Sequence, residues 1–108
     1  MLEIRINENK YKVEIVEEDD ERLKMEDEEY HSGVCDMRKK EIYISKELGL
    51  DAARYTVKHE IVHAYLDSYG FLQVEYTDEI IADFIAIYGK KIEETFKEVY
   101  LYYLQKGL

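Results

Sequence analysis

Between Asp51 and Tyr69 the chain runs for nineteen residues without a glycine or a proline, and in the middle of that run stands HEIVH (59–63). Helix-forming residues fill the segment, Asp51 is placed to cap its start, and Gly70 follows as the residue that ends it. Val57, Ile61, Val62, Ala64 and Leu66 predict a buried helix, where an uncompensated polar group costs roughly 1–3 kcal/mol. Two imidazoles and a carboxylate set among them need partners. Any fold for this chain has to supply those partners.

The flanking sequence narrows the choice. LEIRI (2–6) and YKVEIVE (11–17) alternate apolar and charged residues around a turn at NENK, which predicts a β-hairpin with one buried face. GVCDM and EIYIS flank RKK and predict a second hairpin. After Gly70, Thr77 and Asp78 can cap a further helix that ends near Gly89. A third helix is expected from KKIEETFKEVYLYYLQKG, where Ile92, Phe96, Val99, Tyr100, Tyr103 and Leu104 recur at helical spacing. Strands followed by helices favour an α+β fold, here a small antiparallel sheet of about four strands followed by three helices. With 108 residues, the chain has the size of one domain.

Charge sets limits on partners. The formal net charge is −10, and residues 17–29, EEDDERLKMEDEE, hold nine acids against Arg22 and Lys24, so −7 of the total lies in one segment. A solvated acidic loop over about 17–31, with one helical turn near Leu23 and Met25, is the plain reading; an acidic rim that docks a basic partner is the sharper one. Direct nucleic-acid binding is disfavoured, because it needs cations to displace counterions. No window has the roughly 18 apolar residues of a membrane span, and the first ten residues do not form a signal-peptide core. A single cysteine, Cys35, cannot form an internal disulfide, and together these features lead us to expect a cytoplasmic protein.

The spacing of HEIVH answers its own question. Residues four apart lie one turn apart on one helix face, so His59 and His63 can aim ring nitrogens at one ion about 2.0–2.1 Å away. Glu60 lies roughly 100° further round the helix, beside that ion without ligating it. Two neutral imidazoles that hold Zn²⁺, with an adjacent carboxylate taking a proton from water, form a known hydrolytic arrangement. A catalytic zinc normally needs a third protein ligand. Asp67 shares the face but sits too far along the axis, which makes it a surface residue, and no third histidine follows at the HExxHxxGxxH spacing. DEIIADFIAIYG (78–89) offers Glu79 as third ligand and Asp83 as acceptor for the free N–H of a ligating histidine, with Glu75 or Asp78 as other ligand candidates. An ordinary first-turn acid favoured by the helix dipole is the alternative for Glu79.

HEIVH followed by EIIAD resembles the HExxH…ExxAD pattern of gluzincin-type zinc metallopeptidases, and the compact form is similar to the ImmA/IrrE-like metallopeptidases and the small minigluzincins. GVCDMRKKEIYIS resembles the strand pair those proteins carry before the active-site helix, so the similarity covers roughly residues 31–89. The resemblance implies a minimal zincin-like domain holding one Zn²⁺ per chain. His59, His63 and Glu79 would be the ligands, Glu60 the catalytic base and acid, and Asp83 the support. It also implies hydrolysis of a peptide bond in a protein substrate, often a DNA-binding repressor of a phage or mobile element. A latent or non-catalytic zinc-binding scaffold acting through protein contacts is the alternative, although a purely structural zinc has no need of Glu60.

Four further features are ambiguous in sequence. EIYIS is expected as an edge strand onto which an extended peptide adds. His31 reads as an exposed loop histidine, with a transition-state role as the alternative. Tyr55, Tyr69 and Tyr76 lie near the motif and are more simply packing residues. Cys35 reads as a buried strand cysteine, with a latent zinc-plugging thiolate as the alternative.

Overall fold

A computed structural model describes residues 1–72 and 74–106. Strands β1 (Leu2–Ile6) and β2 (Asn9–Val16) form the first hairpin, and Asn7 turns the corner at φ 57°. A 3₁₀ turn (Glu21–Leu23) follows, capped by Asp20, whose side chain accepts from the Arg22 N–H. Strands β3 (Gly33–Asp36) and β4 (Glu41–Ser45) form the second hairpin.

The strand order is β1-β2-β4-β3, and β2 and β4 run parallel, Lys12 level with Glu41 and Val16 with Ser45. The expected antiparallel sheet is therefore corrected to a mixed one. How two hairpins join depends on the path of residues 17–32, which pass at the finishing end of β2 to the far edge of the sheet, from where β3 runs back and β4 returns parallel to β2. β4 consequently lies inside the sheet, and EIYIS is no edge strand. Its Ile42, Tyr43, Ile44 and Ser45 are all buried, as befits a strand covered on both faces. β3 takes the edge instead.

Helix α1 (Leu50–Ser68) has Gly49 at its N-cap, two residues before the expected Asp51 cap, and Gly70 follows its end at φ 80°. Its buried face is Ala53, Thr56, Val57, Glu60, Ile61, Ala64 and Tyr65. Helix α2 (Asp78–Lys106) is continuous where two helices were expected. Gly89 sits in mid-helix, a tolerated loss of about 1 kcal/mol against alanine, because Phe84 before it and Ile92, Phe96 and Val99 after it are all buried. The zincin-like arrangement with three helices is thus replaced by a four-stranded mixed sheet and two helices.

Ile4, Ile6, Tyr11, Val13, Ile42 and Ile44 meet both helices in the main core, while Val16, Leu23 and Tyr43 close a smaller one on the opposite face under the 3₁₀ turn. Tyr65 donates to the Lys91 carbonyl at 3.1 Å and ties α1 to α2. Tyr103 is fully buried; its hydroxyl donates to the Ser45 carbonyl (3.2 Å) and accepts from the Leu48 N–H (2.8 Å), which anchors the entry into α1. No helix among the described residues is long and apolar enough to cross a membrane.

Candidate metal centre and catalytic cavity

Of the three polar residues of HEIVH, Glu60 is the buried one, 6% exposed; His59 is exposed and His63 half-buried at the rim. The helical 100° step explains the split. Ala53, Val57, Ile61 and Ala64 seat α1 on the sheet, Glu60 falls at the margin of that stripe, and the two histidines fall just beyond it. Their Nε2 atoms lie 3.1 Å apart, and the rings meet edge to face with centroids 4.7 Å apart. Two nitrogens at that separation can share one ion at zinc–imidazole distances. Tyr55 stacks on His59, centroids 5.5 Å apart. Burial, and the neighbouring His59, hold the His63 pKa below the usual histidine range, which favours the neutral form that can ligate a metal.

A cavity of about 260 Å³ opens in front of these groups, lined by His31, Gly33, Cys35 and Thr56 as well as His59, Glu60 and His63. Among the described residues the Glu60 carboxyl has no hydrogen-bond partner, and burial pushes its pKa up to about 7, with His31 pulling weakly the other way. No fully buried side-chain polar atom of the described residues lacks a partner, so this carboxyl opens onto the cavity. Gly33 makes its position possible. A Cβ at Gly33 would stand 2.6 Å from Thr56 Cγ2 and 3.0 Å from Glu60 Cγ, so the edge strand approaches α1 closely only because this residue is glycine.

His31 is half-buried in the cavity wall, its Nε2 3.1 Å from an Asp27 oxygen. That differs from an exposed loop histidine. The Cys35 thiol is pushed up to about 12, chiefly by burial, and so is protonated at neutral pH. Asp67, expected at the surface, instead accepts from Tyr11 Oη and Lys40 Nζ at 2.5 Å each. Tyr69 packs between Tyr65 and Tyr88, and Tyr76 donates to the Phe71 carbonyl.

Glu79 and Asp83 are exposed on the first turns of α2, as is Asp78, and Glu75 is exposed in the segment before the helix. Ile80, Ile81, Phe84 and Ile85 turn toward α1, which leaves Glu79 and Asp83 outside the cavity that His59 and His63 line. Among the described residues no group of three or more His, Cys, Asp or Glu is gathered closely enough to hold a metal. The structure thus brings together His59, Glu60 and His63 and leaves Glu79 and Asp83 apart from them. Gly33 and Thr56 were not anticipated; an isolated glycine in a predicted strand was the one available signal, since it marks close backbone approach. No protein-family model, curated protein or solved structure matches this chain.

Proposed function

We propose that this chain is a zinc-dependent endopeptidase acting on a protein segment, with His59 and His63 as metal ligands and Glu60 as the proton carrier. The observation that carries the reading is the pair of Nε2 atoms 3.1 Å apart beside a buried, unpartnered carboxyl whose pKa stands near 7. Two donors and the base fit a zinc site. Glu79 is our third ligand, and it reaches the ion only if the first turns of α2 reorient; Asp83 would follow as the acceptor from a ligating histidine.

Zinc, when bound, supplies Lewis acidity toward a carbonyl and toward water. The work of the chain itself is positional and protonic. Glu60, poised near neutrality, takes a proton from the attacking water and delivers it to the leaving amine, where a base with a pKa near the working pH is most effective. Among the described residues the outer edge of β3 pairs with no strand, and it borders the cavity, so an extended peptide can add there and present its backbone to Glu60. The HExxH…ExxAD resemblance supports a DNA-binding repressor as substrate, and the single cysteine, Cys35, suits the reducing cytoplasm as the place of action.

A non-catalytic zinc scaffold is the second reading, favoured by the position of Glu79 outside the cavity. Metal analysis of the purified protein, followed by mass-spectrometric detection of cleaved peptides with wild type and Glu60→Gln, separates the two. An enzyme binds zinc in both forms and cuts only in the first; cleavage by neither form, with zinc bound, sinks the peptidase.

A further inference from the structure

A second hollow of about 970 Å³ lies on the other side of β3 from the histidine cavity, and Met25, His31, Val34, Cys35 and Met37 border both spaces. The two form one trough along the unpaired strand edge. Side chains of β3 alternate between its halves: Gly33 faces Thr56 and Glu60 and Cys35 packs against the main core, whereas Val34 packs on Leu23 and Tyr43, and Asp36 lines the second hollow. A peptide strand added to this edge alternates in the same way, one residue toward Glu60 and the next toward the second hollow.

That second hollow has a definite chemistry. Glu26, Asp27 and Asp36 line it. Arg22 and Lys24 line it too, but both are engaged, Arg22 with Glu14 at 2.6 Å and Asp20 at 3.0 Å, Lys24 with Glu21 at 3.9 Å and over the Tyr30 ring. Asp27 has only His31 beside it, and Asp36 accepts from the Arg38 and Lys39 N–H groups at 3.1 and 3.0 Å. Among the described residues no lysine or arginine makes an ion pair with these three carboxylates, and Lys39 is the one lining cation left to oppose them. Val34, Met37 and the exposed Met25 offer apolar surface to an aliphatic stem, and the carboxylates offer a counter-charge to its head. Lysine and arginine have that form. A separate observation points to a ligand in the same trough: the Glu60 carboxyl, 6% exposed, has no hydrogen-bond partner among the described residues and opens onto it.

We propose that the segment presented to Glu60 is basic, bound in extended form along β3 with lysine or arginine at alternate residues directed between Glu26, Asp27 and Asp36. Its cleavage rests on the peptidase reading; its binding does not. Fluorescence anisotropy on the zinc-free full chain tests the binding, with short end-labelled peptides that alternate threonine with lysine, glutamine or glutamate, and another in which the same lysines are grouped at one end. The alternating lysine peptide should bind about tenfold tighter than the glutamine one, since each exposed ion pair contributes a factor of a few, and the glutamate peptide should not saturate. Glu26→Gln/Asp27→Asn/Asp36→Asn, which retains a turn-forming side chain at 36, should abolish the preference. Glu3→Gln/Glu18→Gln/Asp19→Asn, which removes three charges from exposed positions outside the hollow, should leave it intact. The peptide series on wild type stands even where a variant misfolds. Equal affinity for the grouped-lysine peptide, or equal losses in the two triple variants, would reduce the effect to the overall charge of −10 and overturn the proposal. So would a lysine peptide that fails to saturate. A chain that binds this peptide but cuts nothing once loaded with zinc loses the peptidase reading and keeps the basic-segment site; one that cuts without preferring lysine loses this proposal alone.

Discussion

Gly33 and Glu60 are so close that a Cβ on the glycine would stand 3.1 Å from the glutamate Oε2. The edge strand and the base of the cavity therefore share one constraint. Gly33→Ala must displace Thr56 or Glu60, and overpacking of this kind costs about 1–3 kcal/mol. Urea unfolding should show that loss, and any peptidase activity should fall with it. An unchanged midpoint would mean that the strand backs away freely.

Glu60 has an unusual pH signature. Its folded pKa of about 7 lies above the ordinary value of 4.5, so the native state keeps a proton that the unfolded chain has already released. Stability of the metal-free protein should therefore decline as pH rises from about 4.5 to 7 and level off above that. Glu60→Gln removes the penalty and should be more stable than wild type at pH 8 by up to roughly 3 kcal/mol. Parallel denaturation curves at pH 5 and pH 8 decide it; equal sensitivity to pH in both proteins would contradict a buried, raised carboxyl.

Removing ligands should separate the roles around the histidine pair. Either His59→Ala or His63→Ala should lower zinc affinity by more than the 10–100-fold typical of losing an outer partner, and Asp83→Asn should cost about that 10–100-fold. Glu60→Gln should leave affinity intact and cut turnover by roughly 10²–10⁴. Glu79→Gln is the sharpest of the set: calorimetric zinc titration that gives wild-type affinity would remove it as a ligand.

At the far end of α1, Asp67 holds Tyr11 and Lys40 together. Burial opposes its ionised form, but Lys40 and Tyr11 outweigh that effect and keep its pKa below the ordinary carboxylate value. Its contribution is present above the unfolded pKa and is lost as pH falls through the lower folded one. Asp67→Ala should cost about 1–3 kcal/mol at pH 7, since it removes an acceptor from the buried Tyr11 hydroxyl and the counter-ion of the partly exposed Lys40, and the difference from wild type should shrink in acid. A gap that stays constant from pH 7 down to pH 2 would show that packing, not charge, is what Asp67 provides.

The elements that local chemistry specifies were readable in advance. Alternation marked the first two strands and the segments flanking RKK marked the other two, and Thr77 does cap α2, accepting from the Ile80 N–H at 3.3 Å. The HExxH spacing likewise foretold that His59 and His63 would converge. Non-local decisions were not readable. The parallel join of β2 to β4 is set by a crossover whose acidic residues carry no strand signal, and Gly89 was read as a stop although apolar residues on both sides of it continue one helix. Asp67 looked like a surface residue because its partners are 27 and 56 residues away in the chain. The placement of Glu79 depends on how the two helices rotate against each other, which no run of neighbouring residues encodes.

The twin hydrogen bonds of Tyr103 to Ser45 and Leu48 set an order of events during synthesis. The entry to the histidine helix is held by a tyrosine forty residues downstream of His63, so a ribosome-bound fragment lacking that tyrosine carries His59, Glu60 and His63 without this brace. Such long-range closure comes late in folding, so the helix that carries the histidine pair is seated only after the last helix has docked.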